Sequence, residues 1–273
     1  MNPSLARDTA LLIEDIEAAA WRDLHASATD DDRAALGLRP RDLAGGWLMA
    51  ADRMESLLHN RALGLGLHEP LAPAALDELL GHYRDRVPGF ALNLCPLAAS
   101  EALEHELVRR GFATWFHHLK WVRAAERAPR VTSALRVESV PPERAHEWGE
   151  LAARIMDSPP GYAAWSARAV GRPGWSHYFA YANGTPVAVA AMFVRGEAAW
   201  LGSGGTLESH RRQGAHNALF AVRIADALAQ GVRWLTTETA PDWPDLPRES
   251  LRNAQRAGFH PAYERPSWIW PSS

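Results

Sequence analysis

Residues 205–230 begin as an extended, turn-prone segment, pass through His210-Arg211-Arg212-Gln213-Gly214-Ala215-His216-Asn217, and continue as an apolar-periodic helix. Ala218, Leu219, Val222, Ile224, Ala225 and Leu228 recur at helical spacing and predict one buried face. A helix that starts in this way directs consecutive backbone N–H groups outward, with the positive end of its macrodipole behind them, and so holds anions. Gly214 removes the side chain at the closest approach and permits unusual backbone angles. Arg211 and Arg212 add positive charge. The hinge therefore predicts a pyrophosphate site.

Two familiar phosphate motifs are absent. There is no Gly-Lys-Ser/Thr, as a P-loop requires, and no Gly-x-Gly-x-x-Gly after the strand, as a dinucleotide fold requires. Upstream, residues 175–182 and 186–194 are apolar, β-prone runs separated by Asn183-Gly184, a hairpin signal. Residues 198–202 lead into the hinge as a third strand, residues 232–239 follow it as a fourth, and residues 250–257 read as a short helix closed by Gly258. Residues 263–270 form a last strand.

This order, together with Arg211-x-x-Gly214-x-His216 and the segment Ser250-x-x-Asn253-x-x-x-x-Gly258-Phe259, resembles the GNAT superfamily of acyl-CoA-dependent N-acyltransferases over roughly residues 134–270. His216 stands where that family usually has Gly or Ala. The resemblance implies an α/β (α+β) fold of mixed, mostly antiparallel sheets flanked by helices. It implies acetyl-CoA or another acyl-CoA as co-substrate, held by Thr206, Leu207, Arg211, Arg212, Gln213, Gly214, Ala215, His216, Asn217 and Asn253. The family splays two strands apart near Gly204-Gly205-Thr206-Leu207, so an N–H of Thr206 or Leu207 is expected to polarise the thioester carbonyl. The acceptor implied is an amine of a small molecule, attacking directly. The family's usual acid, a tyrosine four residues before the Gly of "GF", is Ala254 here. Tyr263, with Ser250 behind it, is the expected substitute, and Glu238 is the expected base. The missing tyrosine and His216 leave a non-catalytic CoA-binding or sensor protein as the alternative. His210 and His216 lack a third ligand at sensible spacing, so no metal is expected.

The N-terminal half repeats part of this pattern. Residues 62–67, 73–83, 91–95 and 100–109 read as strand, helix, strand, helix, followed by Gly111-Phe112 and a strand carrying Trp121, as the C-terminal end reads Gly258-Phe259 and then Trp268 and Trp270. Its first strand-to-helix connection contains Glu69, Pro70 and Pro73 where an anion turn would need free N–H groups. We read it as a degenerate GNAT-like domain, residues 1–130, followed by a GNAT N-acetyltransferase domain, residues 131–273, with the boundary near Arg130. Residues 5–25 and 45–58 have apolar residues at helical spacing and are expected to cover the sheet as helices.

The 273-residue length suits two ordinary domains. A net charge of −3 gives no reason to expect nucleic acid, and no apolar run approaches the ~20 residues of a membrane helix. The single Cys95 cannot pair internally, which favours a reducing cytoplasm. A tandem repeat can replace a dimer of single domains, so a monomer is expected, with a homodimer as the alternative. Among twelve tryptophans, Trp165, Trp175 and Trp243 fall near the expected acceptor site, while Trp115, Trp121, Trp234, Trp268 and Trp270 lie on predicted strands.

Overall fold

The structure, a computed structural model, describes residues 6–127, 129, 133, 135–240 and 248–271. Two compact units emerge: Met1–Leu119 with Ala262–Ser273, and Lys120–Pro261. The boundary expected near Arg130 lies outside the described residues. No helix among the described residues is long and apolar enough to cross a membrane.

The first unit opens with α1 (Arg7–Ala26) and α2 (Asp30–Leu36). Thr29 caps α2 through a reciprocal capping box with Asp32, which satisfies two otherwise orphaned donors. The strands β1 (Arg41–Leu43), β2 (Gly46–Met49), β3 (Arg61–Leu63) and β4 (Phe90–Asn93) follow, with α3 (Pro73–Tyr83) crossing from β3 to β4 and α4 (Glu101–Arg109) after β4. Strands β3 and β4 are parallel, as the helical crossover demands. One face of α3, Leu76, Leu79, Leu80 and Tyr83, packs into a core with Phe90, Leu92, Phe112 and Trp268.

Residues 45–58, expected to be helical, instead supply β2. All four β2 residues are buried between β1 and β3, and a short run buried on both faces carries no period from which helix and strand can be told apart.

Strand β5 (Ala113–Ala124) carries the chain into the second unit, which continues with β6 (Arg136–Ser139), α5 (Ala145–Ile155), α6 (Tyr162–Ala167), β7 (Trp175–Ala182), β8 (Thr185–Arg195), β9 (Ala198–Thr206), α7 (Ala215–Ala229), β10 (Trp234–Thr239) and α8 (Glu249–Arg256). Strands β6 to β9 form an antiparallel meander. Asn183 and Gly184, at φ 49° and 79°, make the turn between β7 and β8 as the dipeptide predicts. Helix α7 crosses to β10, which pairs parallel to β9.

The closing strand β11 (His260–Trp270) departs from the sequence reading. From Ala262 onward it belongs to the first unit, where Ser267 to Trp270 pair antiparallel with Asn93 to Phe90 of β4. Backbone pairing of this kind joins residues 174 apart, a separation shown by the Asn93 side chain donating to Ser267 Oγ at 3.0 Å. Within each unit the strands pair mostly antiparallel, the parallel pairs being β3 with β4 and β9 with β10, and helices flank them.

Candidate functional site

The parallel pairing of β10 with β9 is short. It joins Trp234, Leu235 and Thr236 to Ala198, Ala199 and Trp200, after which the Thr237 hydroxyl donates to the Leu201 carbonyl at 2.8 Å. Beyond that point β9 runs on to Thr206 through a bulge against β8, with Ser203 at φ 46°. The Leu207 N–H donates to the Val187 carbonyl at 2.9 Å. Because hydrogen-bonded and non-hydrogen-bonded pairs alternate along an antiparallel ladder, Thr206, paired with Ala188, turns its own N–H away from β8. Of the two amides expected to face a ligand, Leu207's is thus engaged by the protein and Thr206's is directed to the open side.

The chain leaves β9 through a short 3₁₀ turn, Glu208–His210, and enters α7 through Arg212 at φ 64° and Gly214 at φ 84°. Two left-handed residues separated by one make successive amides converge, the geometry of an anion nest. Arg211 N–H is occupied by the Glu208 carbonyl at 3.2 Å, and the first amide inside α7 to find a carbonyl is Ala218, on Gly214 at 3.0 Å. Between them, among the described residues, the backbone amides of Arg212, Gln213, Gly214, Ala215, His216 and Asn217 have no acceptor.

A cleft of about 900 Å³ opens over this turn, lined by Thr206, Arg211, Arg212, Gly214, Ala215, His216, Asn217 and Asn253 among the residues expected from the sequence. Gln213, which is exposed, and Leu207 do not line the cleft. Gly204 and Gly205, from the segment where the strands are expected to splay, also line it, whereas Ile155 and Met156 at the end of α5 and Glu249, Arg252 and Arg256 of α8 were not foreseen. Gly205 is needed because a Cβ there would stand 2.4 Å from Ile155 Cγ2. The α8 residues were readable from their spacing, since 249, 252, 253 and 256 share one helical face.

Beneath the cleft lies Arg223, 1% exposed, whose guanidinium donates to the carbonyls of Leu219 and Ala191 at 3.1 Å each and rests on the Phe220 ring. Burial lowers its pKa to about 10. The helical period anchored on Leu219 would have placed it inward, whereas Ala225, expected on the buried face, is exposed. The His216 ring packs edge-on against Phe220, and burial, with the Arg223 charge nearby, pushes its pKa down to about 4, so the imidazole is neutral at physiological pH. Asn217 Oδ1 is buried without a partner. An orphaned acceptor and the unengaged amides of five residues lining one cleft are groups that a polar, phosphate-bearing ligand would satisfy.

The expected catalytic pair is not assembled here. Tyr263 lies in the first unit, 3% exposed, and donates its hydroxyl to Glu14 Oε1 at 2.7 Å. Glu14 in turn accepts from Arg265, which also donates to Glu17. Burial, followed by the Glu14 charge, raises the Tyr263 pKa far above the ordinary tyrosine range, and the side chain is withdrawn as a proton donor. Ser250, the weaker substitute, does line the cleft. Glu238 is half-buried near the end of β10 and is not part of the cleft wall. Trp165 and Trp175 are core residues, 0% and 9% exposed, rather than walls of an acceptor site, and Trp243 lies outside the described residues. Trp115 lies on a strand as expected, β5, and is 56% exposed.

Comparison with solved structures identifies the architecture. The chain resembles a GCN5-related N-acetyltransferase from Kribbella flavida at a TM-score of 0.62 and 17% identity, covering 96% of each chain. It has the GNAT fold. A GCN5-related N-acetyltransferase from Sphaerobacter thermophilus aligns at 0.59 and 15% identity over 97% of this chain and 93% of that one. A tandem GNAT protein from the clavulanic acid biosynthesis pathway aligns at 0.53 and 17% identity over 98% and 97%, so the GNAT likeness extends along nearly the whole chain in tandem form. No protein-family model and no curated protein matches the sequence.

Proposed function

We propose that the chain is an acyl-CoA-dependent N-acyltransferase that moves an acetyl group from acetyl-CoA to an amine of a small molecule. The observation that carries this reading is the run of acceptor-free amides over residues 212–217, all but Gln213 lining a cleft beside the open edge of a GNAT-fold strand. The turn with Arg211 and Arg212 would hold the diphosphate, and the outward edge of β9 would pair with the amides of the pantetheine arm. Bound acyl-CoA supplies an activated thioester carbonyl. Thr206 N–H is placed to stabilise charge developing on that carbonyl. Asn253 and the orphaned Asn217 Oδ1 offer further polar contacts along the cleft.

Proton handling rests on fewer groups. Glu238 is the proposed base for the incoming ammonium, and Ser250 is the hydroxyl that α8 presents to the cleft. A thiol with a pKa of about 8.5 also leaves acceptably without a side-chain acid. The first unit is proposed to be a degenerate GNAT-like half without a cofactor turn: α3 begins with Pro73 at its first position, which has no N–H to offer an anion. We place the protein in the cytoplasm, as a monomer.

The sequestration of Tyr263 together with Ala254 favours one competing reading, a sensor that binds acyl-CoA without turnover. Thiol release measured from acetyl-CoA with a panel of primary amines separates the two. An enzyme shows acceptor-dependent release, and a sensor is stabilised by the ligand yet shows none.

A further inference from the structure

The turn on α7 does not account for all the positive charge in the cleft. From α8, Glu249, Arg252, Asn253 and Arg256 line the same cavity at spacings of three, four and seven residues. Arg252 and Arg256 are exposed, and neither has a carboxylate partner among the described residues. With Arg211 and Arg212 at the turn, the cleft collects four arginines against one carboxylate, Glu249, in a chain whose net charge is −3. Arg211 makes only a loose, exposed pair with Glu208 at 3.7 Å.

A diphosphate bridge brings two negative charges, which the amides, the α7 dipole and the two turn arginines suffice to meet. The α8 pair is then surplus. Side chains four apart on a helix leave Cβ atoms about 5–6 Å apart, a span from which two guanidinium groups can close on one phosphate from opposite sides. We propose that Arg252 and Arg256 form a second anion subsite, for a phosphate monoester carried by the same ligand as the diphosphate. The chain would then select coenzyme A over its dephospho form. This rests on the acyl-CoA reading above. A phosphate monoester carries about 1.5–2 negative charges near neutral pH, more than either phosphate of the bridge, and makes the stronger demand on paired arginines. Because both side chains are exposed, the preference is electrostatic and weakens as salt rises.

Titration calorimetry with coenzyme A and dephospho-coenzyme A tests this at low ionic strength. Wild type is expected to bind coenzyme A about tenfold more tightly, a difference of about 1.4 kcal/mol. In the R252A/R256A variant the ratio should fall to near one, with dephospho-coenzyme A bound within about twofold of wild type. Arg256→Glu, a single exposed change whose fold is checked by circular dichroism, should invert the preference. Equal affinity of wild type for both ligands, or a ratio that survives in R252A/R256A, overturns the subsite while leaving the acyl-CoA reading intact. Wild type that binds neither ligand removes both.

Discussion

Replacing Gly214 by glutamate probes the anion turn most directly. Gly214 sits at φ 84° as the residue before α7, and a Cβ there would meet Ser133 Oγ at 3.5 Å, an ordinary contact. Steric exclusion is therefore not the main effect. A left-handed backbone costs a non-glycine residue roughly 1–2 kcal/mol of stability, and Gly214→Ala carries that cost without new charge. The glutamate adds a carboxylate to the nest. At ~4 Å from a diphosphate, repulsion lies between about 1 kcal/mol in water and about 4 kcal/mol near a protein surface, so ~2 kcal/mol, or about 30-fold in Kd, is a reasonable expectation. Acetyl-CoA at 100 times the wild-type Kd should stabilise wild type by about 2.7 kcal/mol, read as a rise of roughly 5–10 °C in Tm. The same concentration should stabilise Gly214→Glu by only ~0.9 kcal/mol, or about 2–3 °C. Gly214→Ala should melt lower than wild type but keep nearly the full shift. A full shift in Gly214→Glu would refute the assignment of the diphosphate to this turn.

Three further outcomes are expected. Tyr263→Phe removes a hydroxyl from the buried Glu14 and should cost about 1.5–3 kcal/mol in urea denaturation while leaving thiol release unchanged; a stable but inactive variant would return Tyr263 to the chemistry. Burial holds His25, His59 and His177 at pKa values of about 4, 3 and 3, so each stays neutral in the fold but charges in the unfolded chain below about pH 6.5. Their stabilisation is complete above that pH and is lost as pH falls toward 3–4, amounting to about 2 kcal/mol each by pH 5. A His177→Phe variant should therefore lose less stability than wild type between pH 7 and pH 5, and an equal loss counts against the mechanism. Deleting residues 262–273 should remove hydrogen-exchange protection from amides bonded to β11, such as that of Leu94, which donates to the Pro266 carbonyl at 3.0 Å, while that of Ala91, which donates to the Asn60 carbonyl, keeps its bond; retained protection at Leu94 would contradict the pairing.

What could be read from the sequence was local. Asn183-Gly184 specifies its own turn, and the glycine and flanking arginines specify a helix start, each through bonds spanning a few residues. The cofactor face of the cleft follows from those pieces. The errors share the opposite character. Tyr263 looked available because reading along the chain assigns it to the nearest helix, whereas strand pairing carries it to Glu14, whose own location no local pattern reveals. Gly46 to Met49 lacked an alternation because both faces are covered, and Arg223 was passed over because a guanidinium satisfied by main-chain carbonyls can occupy an apolar helix face. The direction of Thr206 N–H, central to the chemistry proposed, depends on ladder parity set by β8.

The late arrival of β11 has a cost during synthesis. Asn93 emerges from the ribosome 174 residues before Ser267, which at about 5–20 residues per second is a wait of roughly 9–35 s. Throughout that interval the nascent first unit has an unfilled place beside β4, with main-chain donors and acceptors exposed to any passing strand. Efficient production of this chain should accordingly depend on whatever shields that edge until β11 has been made.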